Sequence, residues 1–186
     1  MANAMSAMPL PPVAKLPGWL QAELRSNHAG EIGAVFIYRG ILTVSKDHQL
    51  RDFAEEHLHQ EEEHMATFDA WLNPSQRSRL LVVWRTGGFM LGALPALIGP
   101  TAVFTTIDAV ERFVISHYRS QISRIEASGQ WSDVHALLRS FCADEERHQD
   151  DALRRYPMQR RNRLAALWSF TVSWGSRISV ALARRI

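Results

Sequence analysis

Apolar residues recur at intervals of three and four along most of this chain and sustain strict alternation nowhere, so the pattern predicts helices throughout and no strands. Pro9, Pro11, Pro12 and Pro17 keep residues 1–18 out of regular helix, and this small-residue stretch, with Lys15 as its one charge, reads as a flexible leader. A first helix is expected from Trp19 to about Ser45. A second runs from Asp47 to Leu72 and stops at Asn73-Pro74, because the residue before a proline is driven out of the helical conformation. These two form a hairpin. A further helix spans about Thr101 to Ala127, Ser128-Gly129-Gln130 makes a turn, and Ser132 or Asp133 caps another that reaches Arg155 before Pro157. Residues 163–185 give a last helical segment with Leu164, Leu167, Trp168, Thr171, Trp174, Ile178 and Leu182 on one side.

One stretch lacks a polar face altogether. Thr86 to Ile107 contains no charged residue and meets the length of roughly 18–20 apolar residues needed to span a bilayer. Gly87-Gly88, Gly92, Pro95 and Gly99-Pro100 interrupt it, which favours a short helix lying on or dipping into one leaflet over a clean crossing. Charge sharpens this picture: the net charge is +2, yet from Ala152 to Ile186 there are eight arginines and no acidic residue. Those arginines are interleaved with apolar residues at helical spacing, as on a membrane-facing helix, so no nucleic-acid partner is expected. The organisation predicted is a single domain over 19–186 with membrane-associating segments at 86–107 and 163–185. Cys142 is alone, which excludes an internal disulfide, rubredoxin-like iron, an iron–sulfur cluster and a zinc ribbon.

The candidate chemistry lies in an internal echo. Glu31 is followed 30 residues later by Glu61-Glu62-Glu63-His64, and Glu111 is followed 34 residues later by Glu145-Glu146-Arg147-His148. A glutamate and a histidine at i and i+3 share one helix face and can reach one metal ion. Two such helices, facing two that each carry an inward glutamate, make a two-metal carboxylate site in a ferritin-like four-helix bundle. The second helix also contains Glu56-His57-Leu58-His59, and the seam decides between the pairs. Leu50, Ala54, His57, Glu61, His64, Phe68 and Trp71 step by four and three, leaving Glu56 and His59 off the inward stripe. Leu20, Leu24, Asn27, Glu31, Ala34 and Tyr38 form the corresponding stripe of the first helix. Phe104, Ile107, Glu111, Val114, Tyr118 and Ile122 form that of the third, and Val134, Leu138, Phe141, Glu145, His148 and Ala152 that of the fourth.

Four carboxylates turned toward a core need compensation, since isolated buried charge is costly or becomes protonated. Two divalent ions balance their charge and leave two neutral imidazoles to complete the coordination, a donor set suited to iron or manganese. The predicted ligands are Glu31, Glu61, His64, Glu111, Glu145 and His148. His28, His57, His117 and Tyr118 lie near them and are candidates to orient ligands or pass protons; each reads equally well as a hydrogen-bonded core residue. Glu62, Glu63 and Glu146 are read as solvated.

At His28-Ala29-Gly30-Glu31-Ile32-Gly33-Ala34 the chain resembles the demethoxyubiquinone hydroxylases, di-iron monooxygenases of ubiquinone biosynthesis. The resemblance continues through Gln60-Glu61-Glu62-Glu63-His64, Gly88-Phe89-Met90-Leu91-Gly92-Ala93, Val110-Glu111, His117-Tyr118 and Asp144-Glu145-Glu146-Arg147-His148, in the same order. It implies the same six ligands, two iron ions, O2 as co-substrate, and hydroxylation of a polyprenylated benzoquinol ring. It also implies a peripheral membrane protein, on the cytoplasmic face of a bacterial inner membrane or the matrix face of a mitochondrial one. A lipid-binding helper protein is a reasonable partner on the same ground, and a homo-oligomer is left open. Two other functions use such a bundle: iron storage, and peroxide or oxygen scavenging. A storage protein has no use for the apolar segment and basic end, and a rubrerythrin-like scavenger needs cysteines that are absent here.

Overall fold

The computed structural model describes residues 10–155 and 163–186, with side chains in the last helix from Leu167 onward. Among the described residues there is no strand; the chain forms six helices and two short 3-10 turns, at Val13–Lys15 and Pro74–Gln76. The helices are α1 (Gly18–Val44), α2 (His48–Trp71), α3 (Leu81–Ile98), α4 (Pro100–Ser128), α5 (Ser132–Arg155) and α6 (Arg163–Ala183). Their ends follow local chemistry. The Asp47 side chain accepts a hydrogen bond from the Leu50 amide at 3.0 Å and so caps α2. Gly99, at φ 133°, makes the corner between α3 and α4, with Pro100 as the first helical residue after it. Gly129, at φ 64°, closes α4 in the left-handed conformation that glycine adopts without penalty.

The architecture is a ferritin-like bundle in which two hairpins, α1–α2 and α4–α5, face each other, with α3 and α6 laid outside. Two apolar clusters fill its interior. One gathers Tyr38, Ile41, Leu50, Phe53, Phe104 and Ile107; the other gathers Leu20, Leu24, Phe68, Ile125, Leu138 and Phe141. The predicted stripes of α2 and α5 are buried as expected, except that Trp71 is half-buried, while Glu56 and His59 are exposed.

Two expectations change. Residues 10–17, expected to belong to a flexible leader, pack on the bundle instead: Val13 and Leu16 are buried in the second cluster, and the Trp71 indole donates to the Pro11 carbonyl at 2.8 Å. Residues 1–9 lie outside the described part. The uncharged run 86–107 is not one segment, because Gly99 divides it. Its second half, including Val103, Phe104 and Ile107, is the buried start of α4, so exposed apolar surface belongs to α3 alone, which begins earlier, at Leu81. By length and composition α3 is apolar enough to cross a membrane. It lies along α1, however, where glycines bring the two backbones together: a Cβ on Gly92 would collide with the Ile37 carbonyl, and one on Gly88 with that of Gly33. In α6, Val172, Val180 and Ala183 turn inward, and Leu167, Trp174, Ile178 and Leu182 of the predicted stripe form an exposed face. The Leu164 side chain and Arg160 and Arg161 of the basic stretch lie outside the described residues.

Candidate metal centre

The six predicted ligands meet between the two apolar clusters, all buried. Their donor atoms form two overlapping groups: Glu31, Glu61, His64 and Glu145, and Glu61, Glu111, Glu145 and His148; within each, one donor atom per residue lies within 4.8 Å of the others. Glu61 and Glu145 belong to both, as bridging carboxylates between two ions would. One Glu145 oxygen is 3.4 Å from His64 Nδ1 and the other 3.3 Å from His148 Nδ1.

The atoms that face one another here are not bonded to one another. Both Glu61 carboxylate oxygens and the Nδ1 atoms of His64 and His148 are buried without a hydrogen-bond partner. His148 Nδ1 comes within 3.1 Å of Glu61 Oε1, yet is not aligned to bond it. Buried polar atoms are nearly always satisfied. These orphaned nitrogen and oxygen atoms of α2 and α5, facing Glu31 of α1 and Glu111 of α4, fit a pair of metal ions, and an all-oxygen-and-nitrogen donor set suits iron or manganese.

Electrostatics point the same way. Burial, together with the neighbouring Glu145 carboxylate, pushes Glu61 up to about 8 and Glu111 well above the usual carboxylate range. Burial opposes ionisation of Glu145 too, but the adjacent His148 and His64 imidazoles outweigh it and hold its pKa low. The histidines respond in kind. Burial lowers both, but Asp144, Glu145 and Glu31 drive His64 far up, and Glu145 and Glu61 raise His148 to about 11. Without cations the cluster therefore retains protons on imidazoles and carboxylates. Two divalent ions can replace those protons, so metal uptake should release them.

The remaining nitrogens of the two histidines are held from outside the cluster. His64 Nε2 is 3.1 Å from Asp144 Oδ2, and His148 Nε2 is 3.4 Å from Gln60 Oε1, which leaves each Nδ1 facing the carboxylates. Tyr118 donates a short hydrogen bond to Glu31, and Tyr38 donates to Glu111 at 3.3 Å. His57 stacks edge-on against His148 and contacts Asp151 at 3.0 Å. His28, fully buried, reaches Asp69 at 3.0 Å rather than a ligand, and Asp69 is paired with Arg77 at 2.6 Å. His117 contacts none of the six ligands, and its nearest carboxylate is that of Glu23, 3.5 Å from Nε2. Its Nε2 is 3.3 Å from Ser26 Oγ and its Nδ1 is 3.4 Å from the Arg184 guanidinium. Sequence reasoning named no site role for Tyr38, Asp144 or Gln60. Tyr38 carried a signal, seven residues beyond Glu31 on the same stripe. Asp144 and Gln60 sit beside a ligand in sequence, off its stripe, where periodicity is silent.

An apolar cavity of about 320 Å³ opens onto this cluster. Its walls come from α1, α3, α4 and α6, and Glu31, Glu61, Glu111 and Glu145 line its inner end. Val83 and Leu182, which also line it, are exposed, so the cavity connects the exterior of α3 and α6 with the carboxylates.

Residues 18–183 match the family described as ubiquinone biosynthesis protein COQ7. Relatives include a 3-demethoxyubiquinol 3-hydroxylase of Rhodospirillum rubrum, 37% identical over 131 residues, covering 68% of this chain and 60% of the relative. Proteins named NADPH-dependent 3-demethoxyubiquinone 3-hydroxylase, mitochondrial, are similar as well. That of Dictyostelium discoideum is 32% identical over 67% of this chain and 59% of its own length; that of Homo sapiens is 31% identical over 70% and 62%. The matched part of the chain thus spans about 60% of the length of these relatives.

Proposed function

This chain belongs to the COQ7 family of ubiquinone-biosynthesis proteins, and we propose that it is a monooxygenase that hydroxylates the ring of a polyprenylated demethoxyquinol with O2. In this reading Glu31, Glu61, His64, Glu111, Glu145 and His148 would hold two iron ions, Glu61 and Glu145 being the residues common to both donor groups. The iron pair, when bound, supplies the electrons and the O2 chemistry. The protein supplies the rest. Asp144 and Gln60 fix the histidine orientations, Tyr118 and Tyr38 hold Glu31 and Glu111, and the apolar cavity excludes water from the reacting ring.

The observation that carries the proposal is the junction of two features: a buried cluster of carboxylates and imidazoles from four helices in which Glu61, His64 and His148 have unpartnered atoms, and an apolar cavity whose inner end the four carboxylates line. Iron storage calls for the first and not the second. The exposed apolar faces of α3 and α6 flank the cavity mouth, which supports a peripheral site on a membrane surface, with the quinol tail remaining in lipid.

The test combines metal content with product. The purified chain, loaded with Fe(II) and supplied with a reductant, should bind about two irons and convert a demethoxyquinol to its hydroxylated product when O2 is admitted, detected by mass spectrometry. Glu61→Ala and Glu145→Ala should lose iron and turnover together, because each removes a carboxylate shared by both donor groups. Full iron content in both variants would defeat the ligand assignment. Flotation with anionic vesicles tests the membrane surface; recovery of all the protein in the lipid-free fraction would remove that part of the reading.

A further inference from the structure

Each cavity wall is a helical stripe, and three of the four include a glycine that no neighbour crowds. On α1 the lining residues Asn27, Gly30, Gly33, Ala34 and Ile37 lie on one face, with Gly30 directly before Glu31. On α3 the corresponding glycine is Gly87, and on α6 it is Gly175. A Cβ built on any of these three would meet no atom within 4 Å. They differ in this from Gly33, Gly40, Gly88 and Gly92, whose added Cβ atoms would run into Trp84 or into neighbouring backbone. Those four are explained by packing. The first three are not, and a helix-interior glycine is less stable than alanine, because it orders a freer backbone and buries nothing.

Glycine that the fold does not require, in a cavity wall, leaves space for something else. A second observation says where the occupant ends: the Glu61 carboxylate, 1% exposed and without a partner, lies at the same cavity's inner end, and Glu31 follows Gly30 directly. We propose that Gly30 is a specificity-determining residue whose missing side chain leaves room for the quinol ring beside the carboxylates, while Gly87 and Gly175 keep open the path of its tail. The inference rests on the function proposed above and extends it. A planar substituted ring needs close approach to the α1 backbone at Gly30, where one methyl group shortens the slot. The tail leaves between α3 and α6, toward the exposed side chains of Val83 and Leu182.

The test uses the full chain loaded with Fe(II) without oxygen, and a demethoxybenzoquinone with a two-isoprene tail as probe. Trp84 and Trp168 line the cavity, so binding is read by quenching of tryptophan fluorescence. Gly30→Ala should retain full iron content and melt at a temperature equal to or above that of the unaltered chain. Gly30→Leu should weaken quinone binding by about tenfold or more, as steric loss in a fitted pocket does. A ring-free isoprenoid alcohol should bind Gly30→Leu normally and Gly87→Leu poorly. Equal quinone affinity in Gly30→Leu and the unaltered chain overturns the inference, as does loss of iron or of thermal stability in Gly30→Ala, which would give this glycine a structural cause. Failure of the unaltered, iron-loaded chain to bind the quinone at all is a different result, one that removes the proposed function and the inference with it.

Discussion

Helices α3 and α6 lie on the same side of the bundle, wall the same cavity and expose apolar faces, but they are held by opposite means. α3 is held by backbone. Gly33 and Gly40 on α1, with Gly88 and Gly92 on α3, remove the side chains that would keep the helices apart, and the crossing is too close for a Cβ at Gly40, Gly88 or Gly92. α6 is held by a few side chains and by polar ties at its ends. Val172, Val180 and Ala183 are buried, the Trp168 indole donates to Thr106 Oγ1 at 2.8 Å, and Arg184 pairs with Glu23 at 2.9 Å. Arg25 donates to the Arg184 carbonyl at 3.1 Å, and the Arg79 amide to the carbonyl of Ile186 at 3.1 Å. Backbone contact cannot be relieved by turning a side chain or changing pH; polar ties respond to both. One cavity wall should therefore be rigid and the other adjustable.

The largest effect should come from forcing the rigid wall apart. Gly92→Val places a branched side chain against the Ile37 carbonyl, where neither backbone can yield, and should cost about 3 kcal/mol or more in urea denaturation. A cost below 1 kcal/mol would show that α3 stands off α1 in solution.

Next comes pH, acting on the adjustable wall. Burial, with the Arg184 guanidinium nearby, lowers His117 to about 4. Its folded pKa then lies below the unfolded value near 6.5. The unfolded chain takes up the proton first, so the stability from this group is present above pH 6.5 and is lost as pH falls toward 4. The slope is about 1.4 kcal/mol per pH unit at most. His117→Gln should flatten that part of the stability profile between pH 7 and pH 5; an unchanged profile would contradict the assignment.

A smaller effect is expected for Arg184→Ala. Glu23 and Arg184 are partly exposed, which limits the tie to about 1 kcal/mol. Hydrogen exchange should quicken in the last turns of α6 and leave α3 unchanged. The same variant should bring His117 closer to its ordinary pKa, shrinking the pH effect. Smallest is Trp168→Phe, which loses one hydrogen bond to Thr106 worth about 0.5–1.5 kcal/mol and should loosen the first half of α6 alone. Uniform loosening along α6 would mean that its two ends are not independently fastened.

The buried carboxylate and imidazole cluster was legible because each bundle helix has a polar outside against which an apolar seam stands out. The seam of α2 separated Glu61 and His64 from Glu56 and His59, and the structure buries the first pair and exposes the second. α3 has no such contrast. Where almost every position is apolar, periodicity has no phase, and the face that packs is marked by glycines instead of large side chains. For α6 the large apolar residues marked a face correctly, but it is the exposed one, since the helix buries the smaller Val172, Val180 and Ala183. Val13 and Leu16 were unreadable for a third reason, as irregular chain has no period to betray its buried residues.

From the order of its residues alone, this protein is helical and carries four glutamates and two histidines on inward stripes, because helical spacing is a local property of the chain. Its cavity, the roles of Asp144 and Gln60, and the difference between packing glycines and open ones arise only when α3 and α6 close over α1 and α4. Those features are spaces and contacts between segments far apart in sequence, and a glycine looks the same in the chain whether another backbone or an empty slot lies against it.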